Sequence, residues 1–126
     1  MPRDTISTNN AATPAGPPFS PAVRSGGLLF LSGQVAEDPA TGGLLDGDVA
    51  AQTRQIFANI GRLLHAAGRS LEDVVRVGVY LTDMDDYAAM NEAYAEQFQR
   101  PYPARTAVAV AALPLDARIE IDMVVG

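Results

Sequence analysis

Two charged side chains stand where the surrounding residues do not suit a charge. Arg105 lies in "PARTAVAVAALP", residues 103–114, at the entrance of a strand-like run of valine and alanine. Pro101 and Pro103 stiffen its approach, and the next charged residue is Asp116. A guanidinium stays ionised at any ordinary pH, is costly to desolvate alone, and offers a planar fork that matches a carboxylate bidentately. Glu120 is set in "RIEIDMVV", where Ile119, Ile121 and Met123 make one strand face and Glu120, Asp122 and Val124 the other. A partly desolvated carboxylate on that second face would hold its proton more tightly than usual and could serve as acid or base.

The two do not meet in a simple hairpin. If a turn paired Ala112 with Arg118, Glu120 would face Val110, five residues from Arg105, which is about 17 Å at ~3.3 Å per residue. Either the two strands are not neighbours or the site crosses between subunits.

Other polar residues have weaker claims. Asn91 falls on the inner stripe of a helix, a place where an amide more often bonds to backbone. Ser32, Gly33 and Gln34 close a strand, and glycine there permits close backbone approach. His65 is the only histidine, nine residues from Ile56 and so about 180° around the wheel at 3.6 residues per turn, which puts it on the solvent side and excludes it as a base. No zinc-ligand cluster, phosphate-binding glycine loop or serine–histidine–carboxylate set can be assembled. The chemistry left is that of arginine, glutamate, backbone groups and water.

The elements that must position these residues follow from periodicity. "ATPAGPPFSPAV", residues 12–23, has prolines at 14, 17, 18 and 21 and reads as a stiff connector able to position Phe19. "LLFLSGQV", 28–35, is a buried strand leading into a Gly-rich excursion. From Asp48, a capping residue, a helix places Ile56, Ile60, Leu63, Leu64 and Ala67 on one face and stops at Gly68. A strand is expected over 74–82 and a second helix over 85–99 with Tyr87, Met90, Asn91, Tyr94 and Phe98 inside. Strands over 106–112 and 118–125 close the chain, with a turn near Pro114. The order is β, β, α, β, α, β, β, weak strands near 5–7 and 20–24 counting among the early ones.

Two right-handed crossovers running the same way put both helices on one face of the sheet. The strands are nonetheless apolar at both parities, with Val75, Val77, Val79 and Leu81 on one side and Val74 and Tyr80 on the other. Val108 and Val110 are likewise backed by Ala107, Ala109 and Ala111. An uncovered apolar face of that size is an interaction surface, so a homo-oligomer packed sheet to sheet is expected.

Composition agrees with one globular domain spanning 1–126: 48% hydrophobic, 19% charged. A net charge of −6 opposes binding to nucleic acid or an anionic membrane through phosphate contacts. The absence of cysteine removes disulfides and thiolate chemistry and leaves the redox compartment open. The N-terminus "MPRDTISTNN" lacks the apolar core of a signal peptide, and no uncharged apolar run reaches the ~18 residues of a membrane span. The expectation is a soluble, cytoplasmic protein.

Taken together, "GPPFSPAV", "LLFLSGQVAEDPATGGLLDGD", "QTRQIFANIGRLLHAAGRSLEDVVRVGVYLTDMDDYAAMNEAYAEQF", "PARTAVAVAALP" and "RIEIDMVV" resemble the RidA family, also called YjgF/YER057c/UK114, over nearly the whole chain. The resemblance implies an α+β, chorismate-mutase-like subunit with a mixed sheet and two helices on one face. It further implies a homotrimer whose sheets form a central barrel with clefts between subunits. The activity implied is hydrolysis of 2-imino or enamine acids to 2-keto acids and ammonia, with no cofactor. By the same resemblance Arg105 grips the substrate carboxylate and Glu120 positions the attacking water, while Gly33 and Asn91 match pocket positions. A protonated imine is already a strong electrophile, so orientation and one proton-transfer group suffice.

Three positions depart from the family pattern: Phe19 where tyrosine is common, Pro21 where glutamine is common, and Ala107 where cysteine or serine is frequent. Phe19 and Ala107 make the implied pocket drier. Competing readings are a family branch acting on an aminoacrylate or aminomuconate, and a non-catalytic trimer that binds carboxylate metabolites through Arg105. Endoribonuclease activity fits least, given the acidic balance and the single histidine.

Overall fold

A computed structural model describes residues 2–7 and 16–126. The start of the proline-rich connector, residues 12–15 with Pro14, lies outside the described residues. The elements are β1 (Asp4–Ile6), β2 (Ala22–Ser25), β3 (Leu28–Gln34), α1 (Val49–Ala66), β4 (Val74–Leu81), α2 (Tyr87–Ala95), β5 (Ala104–Ala109) and β6 (Ile119–Val125). Three strands rather than two precede α1. They form one sheet of order β1-β2-β3-β6-β4-β5, antiparallel except for the β4–β5 pair.

The fold is α+β, with a mixed six-stranded sheet and two helices on one face. α1 begins where the Asp48 carboxylate accepts from the Ala51 amide at 2.8 Å, and ends before Gly68, which has φ +72°. Its Ile56, Ile60 and Leu64 are sealed against Val77, Val79 and Leu81 of β4, Ile119 and Ile121 of β6, and Leu29 and Leu31 of β3. Each such side chain contributes on the order of 1.5–3 kcal/mol by leaving water. α2 joins the same layer through Met90 and Tyr94, and Phe57 meets the Tyr94 ring edge to face at 5.7 Å. Among the described residues no helix is long and apolar enough to cross a membrane.

Several boundaries differ from expectation, each for a local reason. Register shifts between Val74 and Arg76, so one extra residue turns Val74 inward and Val75 outward, 7% and 50% exposed, the reverse of strict alternation. The second helix is shorter than 85–99, with a 3₁₀ turn at Met84–Asp86 ahead of α2 and an end at Ala95. Phe98 lies beyond the helix and packs edge to face on Phe57 at 5.6 Å, while Tyr87 is 38% exposed rather than inside. β5 starts at Ala104 and stops at Ala109 rather than running over 106–112, because β4, its one partner among the described residues, ends at Leu81 opposite Ala109. Arg105 is therefore inside the strand, not at its entrance.

The uncovered face also departs from the apolar surface expected. Phe30, Val75 and Val108 are exposed, as expected of a surface awaiting a partner, but Arg76, Thr106, Glu120 and Asp122 share that face with Phe30 and Val108. It is mixed, with charge along its middle strands.

Candidate active site

β5 delivers Arg105 opposite Val77, and so onto the side of the sheet that carries the helices. There α2 supplies its surroundings. Nη2 donates to the Tyr87 hydroxyl at 3.2 Å, Nη1 lies 3.9 Å from the Met90 sulfur, and the guanidinium carbon stands 4.7 Å from the Tyr94 ring centroid and 5.7 Å from that of Tyr87. Aromatic faces attract a cation without neutralising it, and a thioether is a weak acceptor. The ion pairs among the described residues, Arg24 with Asp4 and Arg54 with Glu96, leave Arg105 out. It is a half-buried cation, held in place by tyrosines, with donors to spare.

Asn91, Tyr94, Tyr102, Pro103 and Arg105 line a cleft of about 310 Å³. The Tyr94 hydroxyl is buried with no hydrogen-bond partner among the described residues; burial pushes its pKa up, against the pull of Arg105. Ala107, two residues from Arg105 on the same side of β5, is half-buried against the core. Arg105, Asn91 and Ala107 thus form one group.

Glu120 belongs to another. It pairs with Tyr80 in the β4–β6 ladder and projects from the uncovered face. Register between β3 and β6 shifts between Leu31 and Gln34, and this bulge brings Gly33 beside the carboxylate. A Cβ on Gly33 would lie 2.6 Å from Glu120 Oε2, so only glycine fits while Glu120 keeps this position. Ser32 moors the preceding segment: its amide donates to the Pro21 carbonyl at 3.0 Å and its hydroxyl to the Ser20 carbonyl at 2.6 Å. The segment carries Phe19, 61% exposed. Burial first, and the neighbouring Asp122 charge second, push the Glu120 carboxyl above the usual range.

The residues singled out in the sequence therefore divide into two half-sites, Arg105, Asn91 and Ala107 on the helix side and Glu120 and Gly33 on the open side with Phe19 carried by the adjoining segment. The sequence alone marks neither the tyrosines around Arg105 nor the Tyr80–Asp122 contact as a site. The spacing of Tyr87, Asn91 and Tyr94 on one helical stripe is a signal in the sequence, but one that core packing explains equally well. A larger cleft of about 430 Å³, between Asp46, Gln52, Asp116 and Arg118, holds none of these residues.

The endoribonuclease L-PSP family model matches residues 8–126. The chain is 50% identical over 122 residues to the RutC family protein PH0854 of Pyrococcus horikoshii, covering 97% of this chain and 96% of that protein. It is 42% identical over 122 residues to the 2-iminobutanoate/2-iminopropanoate deaminase of Bos taurus, covering 97% and 88%. Among solved structures, E. coli TdcF with bound serine superposes with a TM-score of 0.86 at 36% identity, covering 97% of each chain.

Proposed function

The chain belongs to the endoribonuclease L-PSP family, the family of the RidA proteins, and from that premise we propose that it hydrolyses 2-imino acids to 2-keto acids and ammonia. The observation that carries this reading is the state of Arg105: fixed by tyrosines, facing a cleft, and paired with no carboxylate among the described residues. A substrate carboxylate completes its hydrogen bonding bidentately. Relatives named as imine deaminases and a solved relative holding serine, an amino acid with the same carboxylate, support the choice of substrate class.

In this reading Glu120 takes a proton from water as the water oxygen bonds to the imine carbon. The protonated Glu120 returns that proton to the carbinolamine nitrogen, the C–N bond breaks, and ammonia leaves as Glu120 takes the hydroxyl proton and the carbonyl forms. Electrons and atoms balance with water alone. Since Arg105 and Glu120 lie on opposite faces of one sheet, the cleft is composite: Arg105 of one subunit faces Glu120 of the next in a homotrimer built on the uncovered face. Phe19 and Ala107 line it with apolar surface.

Ribonuclease chemistry, which the family's name carries, fits poorly. The protein is acidic, and His65, exposed on α1, lines neither of the two clefts. The test is to generate imines in situ with an amino-acid oxidase and follow their decay with and without the protein. Faster decay supports the hydrolase, whereas binding of carboxylates without faster decay would make this a binding protein.

A further inference from the structure

Tyr80 stands directly opposite Glu120 in the β4–β6 ladder, yet its hydroxyl does not serve Glu120. It donates to Asp122 Oδ2 at 2.9 Å. The phenol reaches diagonally across Gly78, the residue paired with Asp122. A Cβ on Gly78 would come within 3.0 Å of the Tyr80 hydroxyl oxygen and collide with the Asp122 carboxylate. Two glycines therefore shape this patch, Gly33 leaving room for Glu120 and Gly78 leaving room for the Tyr80–Asp122 bond.

We propose that Tyr80 and Asp122 are a positioning pair for Glu120, the phenol pinning Asp122 so that one negative charge stays fixed beside the carboxylate that handles the proton. The proposal rests on the reading of Glu120 as the proton-transfer group. Glu120 and Asp122 are alternate residues on one strand face, about 7 Å apart at ~3.4 Å per residue, near enough for each charge to oppose the other. The Glu120 carboxyl, raised first by burial and then by the Asp122 charge, and the raised pKa of Tyr80, whose largest cause is its bond to Asp122, agree with that geometry.

The other groups around Glu120 do not replace this charge. Arg76 on β4 is turned to the Thr106 hydroxyl at 3.2 Å, and β3 and β5 offer Ser32, Gly33, Gln34, Thr106 and Val108, none of which carries a negative charge. An arginine brought by a second copy would act alike on every variant below.

Asp122→Asn keeps the shape and can still accept from Tyr80, but removes the charge. Carboxyl carbon-13 NMR of Glu120, assigned by its loss in Glu120→Gln, reads the midpoint directly in the assembled protein. The midpoint is expected to fall by roughly half to one pH unit in Asp122→Asn, with the acid limb of kcat moving the same way. Tyr80→Phe, which deletes one oxygen, should move it in the same direction by less, and Asp122→Glu should restore it. A merely structural bond would leave the Tyr80→Phe midpoint in place, since Asp122 would keep both its charge and its position. An unmoved midpoint in Asp122→Asn or in Tyr80→Phe overturns the proposal. A midpoint that moves in a protein that does not hasten imine decay keeps the pair and overturns the hydrolase instead.

Discussion

Arg105 and Glu120 project from opposite faces of the same sheet: Arg105 is paired with Val77, buried beneath the helices, and Glu120 with Tyr80, on the uncovered side. With β4 between their strands and the sheet between their side chains, no rotamer change within one chain brings the two to one small substrate. A site that uses both is assembled from two copies.

The assembly should therefore be a trimer that persists on dilution, with a light-scattering mass three times that of the 13.3 kDa subunit. Impaired Arg105→Lys and Glu120→Gln chains, co-expressed, should recover to about a quarter of wild-type activity, the chance that a random cleft receives both intact residues. No recovery would place both residues in one subunit's site.

Arg105→Lys should lose most imine hydrolysis although the charge remains. An ammonium cannot reproduce two parallel hydrogen bonds to a carboxylate, and losing one charge-assisted bond costs roughly 1.5–3 kcal/mol, or about ten- to a hundredfold in kcat/KM. Wild-type kinetics in a folded Lys variant would remove the carboxylate grip.

Glu120→Gln should slow turnover by about 10²–10⁴-fold while leaving carboxylate binding largely intact. In the wild type the ionised form is the base, so activity should fall as pH drops through the Glu120 pKa. Within the subunit, burial and then Asp122 raise that pKa, and Arg105 of the facing copy pulls it the other way. A pH–rate profile whose acid limb survives in Glu120→Gln would assign it to another group.

Gly33→Ala tests the β3 bulge. The new methyl would sit 2.6 Å from Glu120 Oε2 and must push the carboxylate aside, so kcat should fall while trimer mass and KM change little. Unchanged kcat would show that the Glu120 position is not constrained from this side.

Phe19→Tyr should shift selectivity toward the smallest imines. A phenyl offers only apolar contact, so the native protein should favour longer or aromatic side chains. The rate ratio for alanine-derived over leucine-derived imines is expected to rise in the variant without a change in oligomer. If the ratio stays fixed, Phe19 is a packing residue.

Local physics made much of this legible before any tertiary contact was considered. The Asp48 cap, the apolar stripe from Ile56 to Leu64 and the Gly68 stop lie within one helix, where each interaction spans a few residues, and α1 follows them. The odd placement of Arg105 and Glu120 was equally visible, because an ionised group among valines and isoleucines is conspicuous whatever the fold. Their relationship was not. It depends on β6, last in the chain, inserting between β3 and β4, on the bulge at Val74–Arg76, and on β5 ending where β4 ends. Pairing between segments far apart in the chain sets which face each side chain takes, and alternation within one strand carries no information about that choice. The same holds for the tyrosines at Arg105 and for Tyr80 reaching across Gly78: their residue types suggested packing, and only the register of neighbouring elements turned them toward a charge.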